Sequence, residues 1–163
     1  MKQLISFEHL TAVLRELADE MREAYKSELD KSDRYTTERS LINSVRTEVV
    51  VNDRAYIVQM RLNDYWRYVE DDTRPHWPPP SAMLRWVTIK PVIPRPFANG
   101  KVPKSAQLAY LIGRKISREG TTGSHDLQRS REQVLTKYVA ALSEALRVDV
   151  EEYILAILAQ DLR

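Results

Sequence analysis

The residues of this chain whose types could do chemistry are few. His9, His76 and His125 are its imidazoles, and Glu70-Asp71-Asp72 is its best carboxylate cluster. A zinc site on a helix wants two ligands four residues apart, and none of the three histidines has such a companion. A calcium loop needs alternating oxygen ligands around a central glycine, which Glu70-Asp71-Asp72-Thr73 lacks, so that run reads as a solvated turn. No serine sits on a Gly-x-Ser-x-Gly elbow. Gly120-Thr121-Thr122-Gly123-Ser124 has two glycines but no phosphate-gripping lysine and no preceding strand; it reads as a helix stop and a flexible link. With no cysteine, disulfides and thiolate metal sites are excluded. The residues predict no enzyme, no metal and no cofactor.

Recognition chemistry is better represented. The run 64–120 holds all three tryptophans and all eight prolines. Within it, 81–120 carries eight basic residues and one acidic residue, Glu119, whereas 1–30 carries four basic and seven acidic. A net charge of only +2 therefore hides a strongly segregated chain, which suits oriented assembly or a nearby polyanion. Trp77 precedes three prolines, and a loop tryptophan is a typical interface anchor. Tyr65, Trp77, Pro78, Pro79, Arg95 and Phe97 are the interface candidates of this aromatic, proline-stiffened segment. Arg114, Lys115 and Arg118 crowd the end of a predicted helix over 104–118. There they either complement the helix dipole, worth about 0.3–1 kcal/mol each, or face phosphates or a neighbouring subunit.

Elements must position these groups. Phe7, Leu10, Val13, Leu14, Leu17, Met21 and Tyr25 recur at steps of three and four, predicting a helix from a Ser6 cap to about Leu29. The stretch 30–39 is polar and turn-prone. Val45, Thr47, Val49 and Val51, then Tyr56, Val58, Met60 and Leu62, alternate about Asn52-Asp53, which predicts a hairpin with one buried face. Asn63-Asp64 is expected to cap a short helix with Tyr65, Trp66 and Val69. Ser81 begins another through Trp86, followed by a strand at 87–89 and a long proline-rich loop. Trp66 and Trp86 fall at core positions. After the basic helix stopped by Gly120, two helices are expected: 126–146, with Leu127, Val134, Leu135, Tyr138, Ala141, Leu142 and Ala145 on its apolar side, and 150–162, capped by Asp149. The class is α+β: an N-terminal helix, a β-hairpin or small antiparallel sheet packed by several helices, and two C-terminal helices. Its 163 residues fit one domain, with a core of about 1–123 and a helical extension over 126–163. No signal peptide or apolar run of membrane-spanning length is apparent, so a soluble protein, working inside a cell or in a particle assembled there, is expected.

The order of these motifs is similar to something specific. Ser40-Leu41-Ile42-Asn43-Ser44-Val45 enters the hairpin, then come Tyr65-Trp66-Arg67-Tyr68-Val69-Glu70, Pro78-Pro79 and the helix to Trp86. Last comes Gln107-Leu108-Ala109-Tyr110-Leu111-Ile112-Gly113-Arg114-Lys115-Ile116-Ser117-Arg118-Glu119-Gly120-Thr121. Over about 40–123 the chain resembles the tail-completion, or head–tail joining, proteins of tailed bacteriophages. The resemblance implies a small α+β virion protein with no enzymatic activity or cofactor. It implies a homo-oligomeric ring at the neck, between head connector and tail, assembled in the host cytoplasm. Its partners would be other neck, connector and tail proteins and passing double-stranded DNA held without sequence specificity, with no membrane. Two departures stand out. Asp71-Asp72-Thr73-Arg74 replaces a glycine and arginine before the prolines, and His125-Asp126-Leu127 replaces paired aromatics, so the C-terminal helices are expected to dock differently. In a ring, the acidic terminal helices could meet the basic middle of the adjoining subunit. Charge reversal of Arg114 and Arg118 would then weaken the oligomer. The alternative is a DNA-binding accessory protein that contacts phosphates through 104–118.

Overall fold

A stripe recurring every three to four residues needs a partner surface, and in this chain the partner lies at the opposite end of the sequence. The structure, a computed structural model, describes residues 7–32, 40–52, 55–89 and 92–161. The chain divides into two compact units. The first holds Met1–Lys31, Ser44–Leu62 and Asp126–Arg163; the second holds Ser32–Asn43 and Asn63–His125.

In the first unit, helix α1 (Glu8–Ser32) runs beside the long helix α6 (Asp126–Asp161). His9 meets Asp149, Glu20 meets Lys137 and Tyr138, and Glu28 meets Arg129. The partner number on α6 falls as the number on α1 rises, so the two helices are antiparallel. Leu17, Ala18, Tyr25 and Leu29 of α1 and Val134 and Ala145 of α6 are buried in this unit, with Val45 at the entrance to the hairpin. Strands β1 (Arg46–Val51) and β2 (Tyr56–Arg61) pair antiparallel, with Val49 opposite Val58 and Val51 opposite Tyr56. That register leaves four residues in the turn instead of the two that Asn52-Asp53 predicts. Asn52 closes it: its N–H donates to the Ala55 carbonyl (3.0 Å), and its side-chain oxygen accepts from the Ala55 N–H (2.8 Å). The expected single buried face is absent. Residues on both faces of the ribbon are half-buried, because each of two strands is an edge and neither face is wide enough to seal.

Three expectations change in this unit. Helix α1 continues past Leu29 to Ser32, and its predicted cap, Ser6, lies outside the described residues. The two C-terminal helices are one continuous helix, α6. Asp149 does not begin a helix; it is 5% exposed in the middle of one. The first part of α6 is core, with Asp126, Ser130, Val134 and Ala145 all buried, so 126–163 is not simply an extension appended to 1–123.

The second unit is built from α3 (Trp66–Glu70), α4 (Pro80–Ile89) and α5 (Ser105–Glu119). Asn63-Asp64 does not cap α3: the N-cap is Tyr65, and no side chain caps there. A short helix not expected from the sequence, α2 (Ser40–Ser44), spans the chain boundary between the units, with Leu41 and Ile42 buried. Helix α4 opens on Pro80, where the missing N–H costs nothing, one residue before the predicted Ser81. It also absorbs the predicted strand at 87–89. Burial of Val87 and a hydrogen bond from the Thr88 hydroxyl to the Leu84 carbonyl (2.8 Å) override the β preference of Val-Thr-Ile. Trp66 and Trp86, expected in the core, are only half-buried. At α5 the Gln107 side chain accepts from the Lys104 N–H (3.1 Å), and Gly120, at φ 75°, returns its N–H to the Ile116 carbonyl (2.8 Å).

Candidate functional site

Between Gly120 and Ser124, where the sequence reads as a flexible link, the chain is locked. Thr73 and Thr121 form an antiparallel bridge, Thr73 N–H to the Thr121 carbonyl at 2.9 Å and the return bond at 3.3 Å, with their hydroxyls 2.7 Å apart. The Ser124 N–H donates to the Val69 carbonyl (2.8 Å) and the His125 N–H to the Glu70 carbonyl (3.2 Å). Asp72 Oδ1 accepts from the Gly123 N–H at 2.8 Å and lies 3.4 Å from His125 Nε2. Glu70 is buried. The carboxylate run is therefore no free solvated turn: Asp72, though exposed, ties the end of α3 to the segment after α5.

This lock sets α5 beside the proline segment. An open apolar groove of about 160 Å³ forms there, lined by Trp77, Pro78, Met83, Leu84 and Tyr110 among others. The Trp77 and Tyr110 rings meet at 5.8 Å, tilted by 58°, within the centroid range over which aromatic pairs attract. Both remain half open to solvent, Trp77 at 50% and Tyr110 at 57%. Of the sequence candidates, Trp77 and Pro78 line the groove, Pro78 as a buried wall. Pro79, Arg95 and Phe97 are exposed, and Tyr65 half-buried at the start of α3; none of the four is part of the lining. Phe97 instead starts a turn in which its N–H donates to the Lys101 carbonyl (2.9 Å). Met83, Leu84 and Tyr110 are groove residues the sequence did not single out. Their signal was present as apolar positions on two helices, but nothing local says that α4 and α5 share a groove.

Arg114, Lys115 and Arg118 are all exposed on α5. Lys115 reaches Glu119 one turn on, at 3.7 Å, a surface pair of small energetic weight. Arg114 lies one turn beyond Tyr110, so that edge of the groove is cationic.

The first unit offers a different surface. Every residue of α6 from Val150 to Gln160 is exposed. Leu155 is 65% exposed, Leu158 53% and Ile154 50%, a run of large side chains that a solvated helix end does not need. No helix among the described residues is long and apolar enough to cross a membrane.

Near the base of that run stands a cluster resembling a ligand set, the one such cluster among the described residues, which the sequence did not bring together: His9, Asp149 and Glu152. Its carboxylate is already engaged. Asp149 accepts from the backbone N–H groups of His9 (3.0 Å) and Leu10 (2.7 Å) and contacts His9 Nδ1 at 2.9 Å. These are the second and third residues of α1, so Asp149 does for α1 what an N-cap side chain does, from 140 residues away. A cation here would have to compete with that cap.

The cap is sensitive to pH. The hydrogen bond to Asp149 raises the His9 imidazole above its ordinary 6.5, against a smaller lowering by desolvation. Burial pushes Asp149 up, but the Leu10 amide, the His9 side chain and the His9 amide together hold it below 3.8. His9 therefore contributes fully below its ordinary value, and its contribution is lost as pH rises through the raised one. Asp149 contributes above its ordinary value and loses its share as pH falls through the lowered one. The contact is strongest between pH 3.8 and 6.5. The expected result, read by NMR titration of the His9 ring, is a midpoint above 6.5 that drops toward it in Asp149→Asn. An unmoved midpoint would show that Asp149 is not the cause.

Compared with protein-family models, with curated proteins and with solved structures, the chain matches none.

Proposed function

We propose that this chain is a virion structural protein of a tailed bacteriophage, the subunit of a ring at the neck that joins the head connector to the tail around the DNA channel. The observation that carries this reading is the convergence of the later family-like motifs, those over 65–70, 78–86 and 107–121, in one compact unit, whereas the 40–45 motif and the hairpin it enters cross its boundary. The 65–70 segment holds α3 with Tyr65 as its N-cap, 107–119 lies in α5, and Thr121 bonds back to Thr73 just beyond α3. The surface this arrangement supports is an apolar groove beside exposed cations.

A ring multiplies each lumen-facing charge by the number of subunits, so a few basic residues suffice to set a channel potential; Arg114, Lys115 and Arg118 are the candidates for that lining or for the contact between subunits. DNA must slide, and every phosphate contact adds salt-dependent grip. A chain of net charge +2 with a modest basic face serves that better than a strongly basic one. Tyr65, Arg95 and Phe97 are then contacts for neck, connector or tail neighbours. In this reading the subunit catalyses nothing, needs no cofactor and belongs to the virion, assembled in the host cytoplasm.

Electron microscopy of the purified full chain tests the proposal: closed rings with a central channel are expected, and solitary particles would contradict it. The exposed basic residues of α5 keep a second reading in view, a DNA-binding accessory protein. A gel shift at physiological salt separates the two. Tight duplex binding by the isolated subunit favours the accessory protein; weak, non-specific binding favours the ring.

A further inference from the structure

We propose that the C-terminal end of α6 of one copy docks in the α4–α5 groove of the next, through Glu151, Ile154, Leu155 and Leu158. The proposal rests on the ring reading and names the two faces that would build it. On α6 these four residues stand at i, i+3, i+4 and i+7, the spacing by which an amphipathic helix presents anchors to a groove. They lie on a different side of the helix from Val134, Ala145 and Asp149, which are buried within the first unit. The three apolar members are at least half exposed.

The groove matches in size and character. A cavity of about 150 Å³ holds a benzene ring, so a groove of about 160 Å³ takes one leucine side chain, with neighbours resting on its rim. Leu155 is the most exposed large apolar side chain of α6 and is the anchor. Trp77, Leu84 and Tyr110, themselves partly exposed, are what it covers. Aromatic-walled pockets filled by an apolar anchor are where interface energy concentrates.

Charge selects this occupant over others. From 144 to 161, α6 carries five acidic residues against one basic, Arg147, while 81–120 carries eight basic against one acidic. Glu151 lies one turn before Leu155, and Arg114 one turn beyond Tyr110, so seating the leucine with α6 antiparallel to α5 brings opposite charges to the same rim. Glu151 now pairs with Arg147 of its own helix and would exchange or share that partner. Two copies of the α6 end laid against each other would instead bring acidic stretches together, which opposes self-pairing. The contact joins two different patches, so it propagates from copy to copy and can close a ring.

Sedimentation velocity on full-length chains tests this with two variants on exposed residues: Leu84→Glu with Tyr110→Glu, which ruins the groove, and Leu155→Glu with Leu158→Glu, which ruins the helix end. Wild type is expected to form assemblies larger than a dimer. Each variant alone should self-associate at least about 30-fold more weakly, the size of a lost hot-spot contact. An equimolar mixture should form a heterodimer and stop there, because one intact helix end meets one intact groove and nothing remains to extend the chain. If the groove variant assembles like wild type, this interface is wrong while the ring reading stands; pairing along α6 through Leu135 and Leu146 would give that result. A mixture that stays monomeric likewise overturns the interface. A wild type that stays monomeric overturns both readings. Should either double variant lose the circular dichroism of wild type, Arg114→Glu mixed with Glu151→Lys carries the same question. Each should weaken self-association by setting like charges at the rim, and the mixture should recover it, because both helix–groove contacts between the two variants again pair opposite charges; unchanged assembly by each variant alone, or a mixture that assembles no better than either, would overturn the interface.

Discussion

Replacing Gly123 by alanine is expected to cost at least about 3 kcal/mol and to lower the thermal midpoint by roughly 6–12 °C for a chain of this size. A Cβ at Gly123 would lie 2.1 Å from the Glu70 carbonyl oxygen, 2.6 Å from the Asp71 carbonyl carbon and 2.7 Å from that of Glu70. Non-bonded heavy atoms rest at about 3.5–4.0 Å, and backbone cannot rotate aside as a side chain can. Relief requires the two segments to part, which strains the Ser124–Val69 and His125–Glu70 hydrogen bonds and uncovers buried Glu70. Gly120 should behave alike, since its Cβ would fall 2.0 Å from the Thr73 carbonyl oxygen at a φ of 75°. Gly100 is the control. It too has positive φ, but nothing lies within 4 Å of its Cβ position, so alanine there should cost only backbone strain, about 1–2 kcal/mol. Thermal melts followed by circular dichroism decide the matter. Equal losses at Gly100 and Gly123 would mean that the close approach of α3 to the post-α5 segment is not what the glycine serves.

The second large effect is expected at Asp149. Alanine there removes the acceptor for two N–H groups at the start of α1 and for the His9 ring. Loss of a helix cap costs about 0.5–2 kcal/mol, and donors left without a partner add to it. A total near 2 kcal/mol, or roughly 4–8 °C in midpoint, follows for this chain length. Asp149→Asn keeps one acceptor oxygen and should lose less. Amide exchange at His9 and Leu10 gives a local readout: it should accelerate at both in Asp149→Ala and at only one of them in Asp149→Asn, because the two N–H groups donate to different carboxylate oxygens. Faster exchange throughout α1 in both variants would point to general loosening in place of a lost cap.

Both effects depend on long-range contacts, and that is why the sequence concealed them. Gly120 reads correctly as a helix stop because the signal is local: a periodic run ends and a φ-permissive residue follows. Gly123 has no such local duty, and its purpose appears only when Glu70 lies against it. Asp149 follows a pattern that ordinarily marks a helix start, an acid before an apolar run, and so divides α6 on paper. The physical start it caps belongs to α1. Helices α1 and α5 and the hairpin were legible because their periodicity and flanking residues agree. Val87-Thr88-Ile89 misled because β-branched residues favour strands until burial and a hydroxyl-to-carbonyl bond hold them in a helix.

The candidate surface divides the same way. Trp77 and the cations of α5 could be picked out by residue type, since an aromatic beside prolines and a basic cluster are unusual anywhere. Met83, Leu84 and Tyr110 could not, because an apolar residue on a helix announces burial and only the packing of α4 on α5 shows that it lines an opening. Leu155 and Leu158 are the opposite case. Large and apolar on a helix, they would ordinarily be covered, yet nothing among the described residues covers them, and that mismatch between residue type and exposure is what points outward to another copy.

The central claim is that this chain acts by associating with copies of itself. Native mass measurement of the purified full-length chain over a wide range of concentration addresses it most directly. A closed ring gives monomer and one heavier species of fixed mass whose share grows with concentration. Monomer alone at every concentration would contradict the claim.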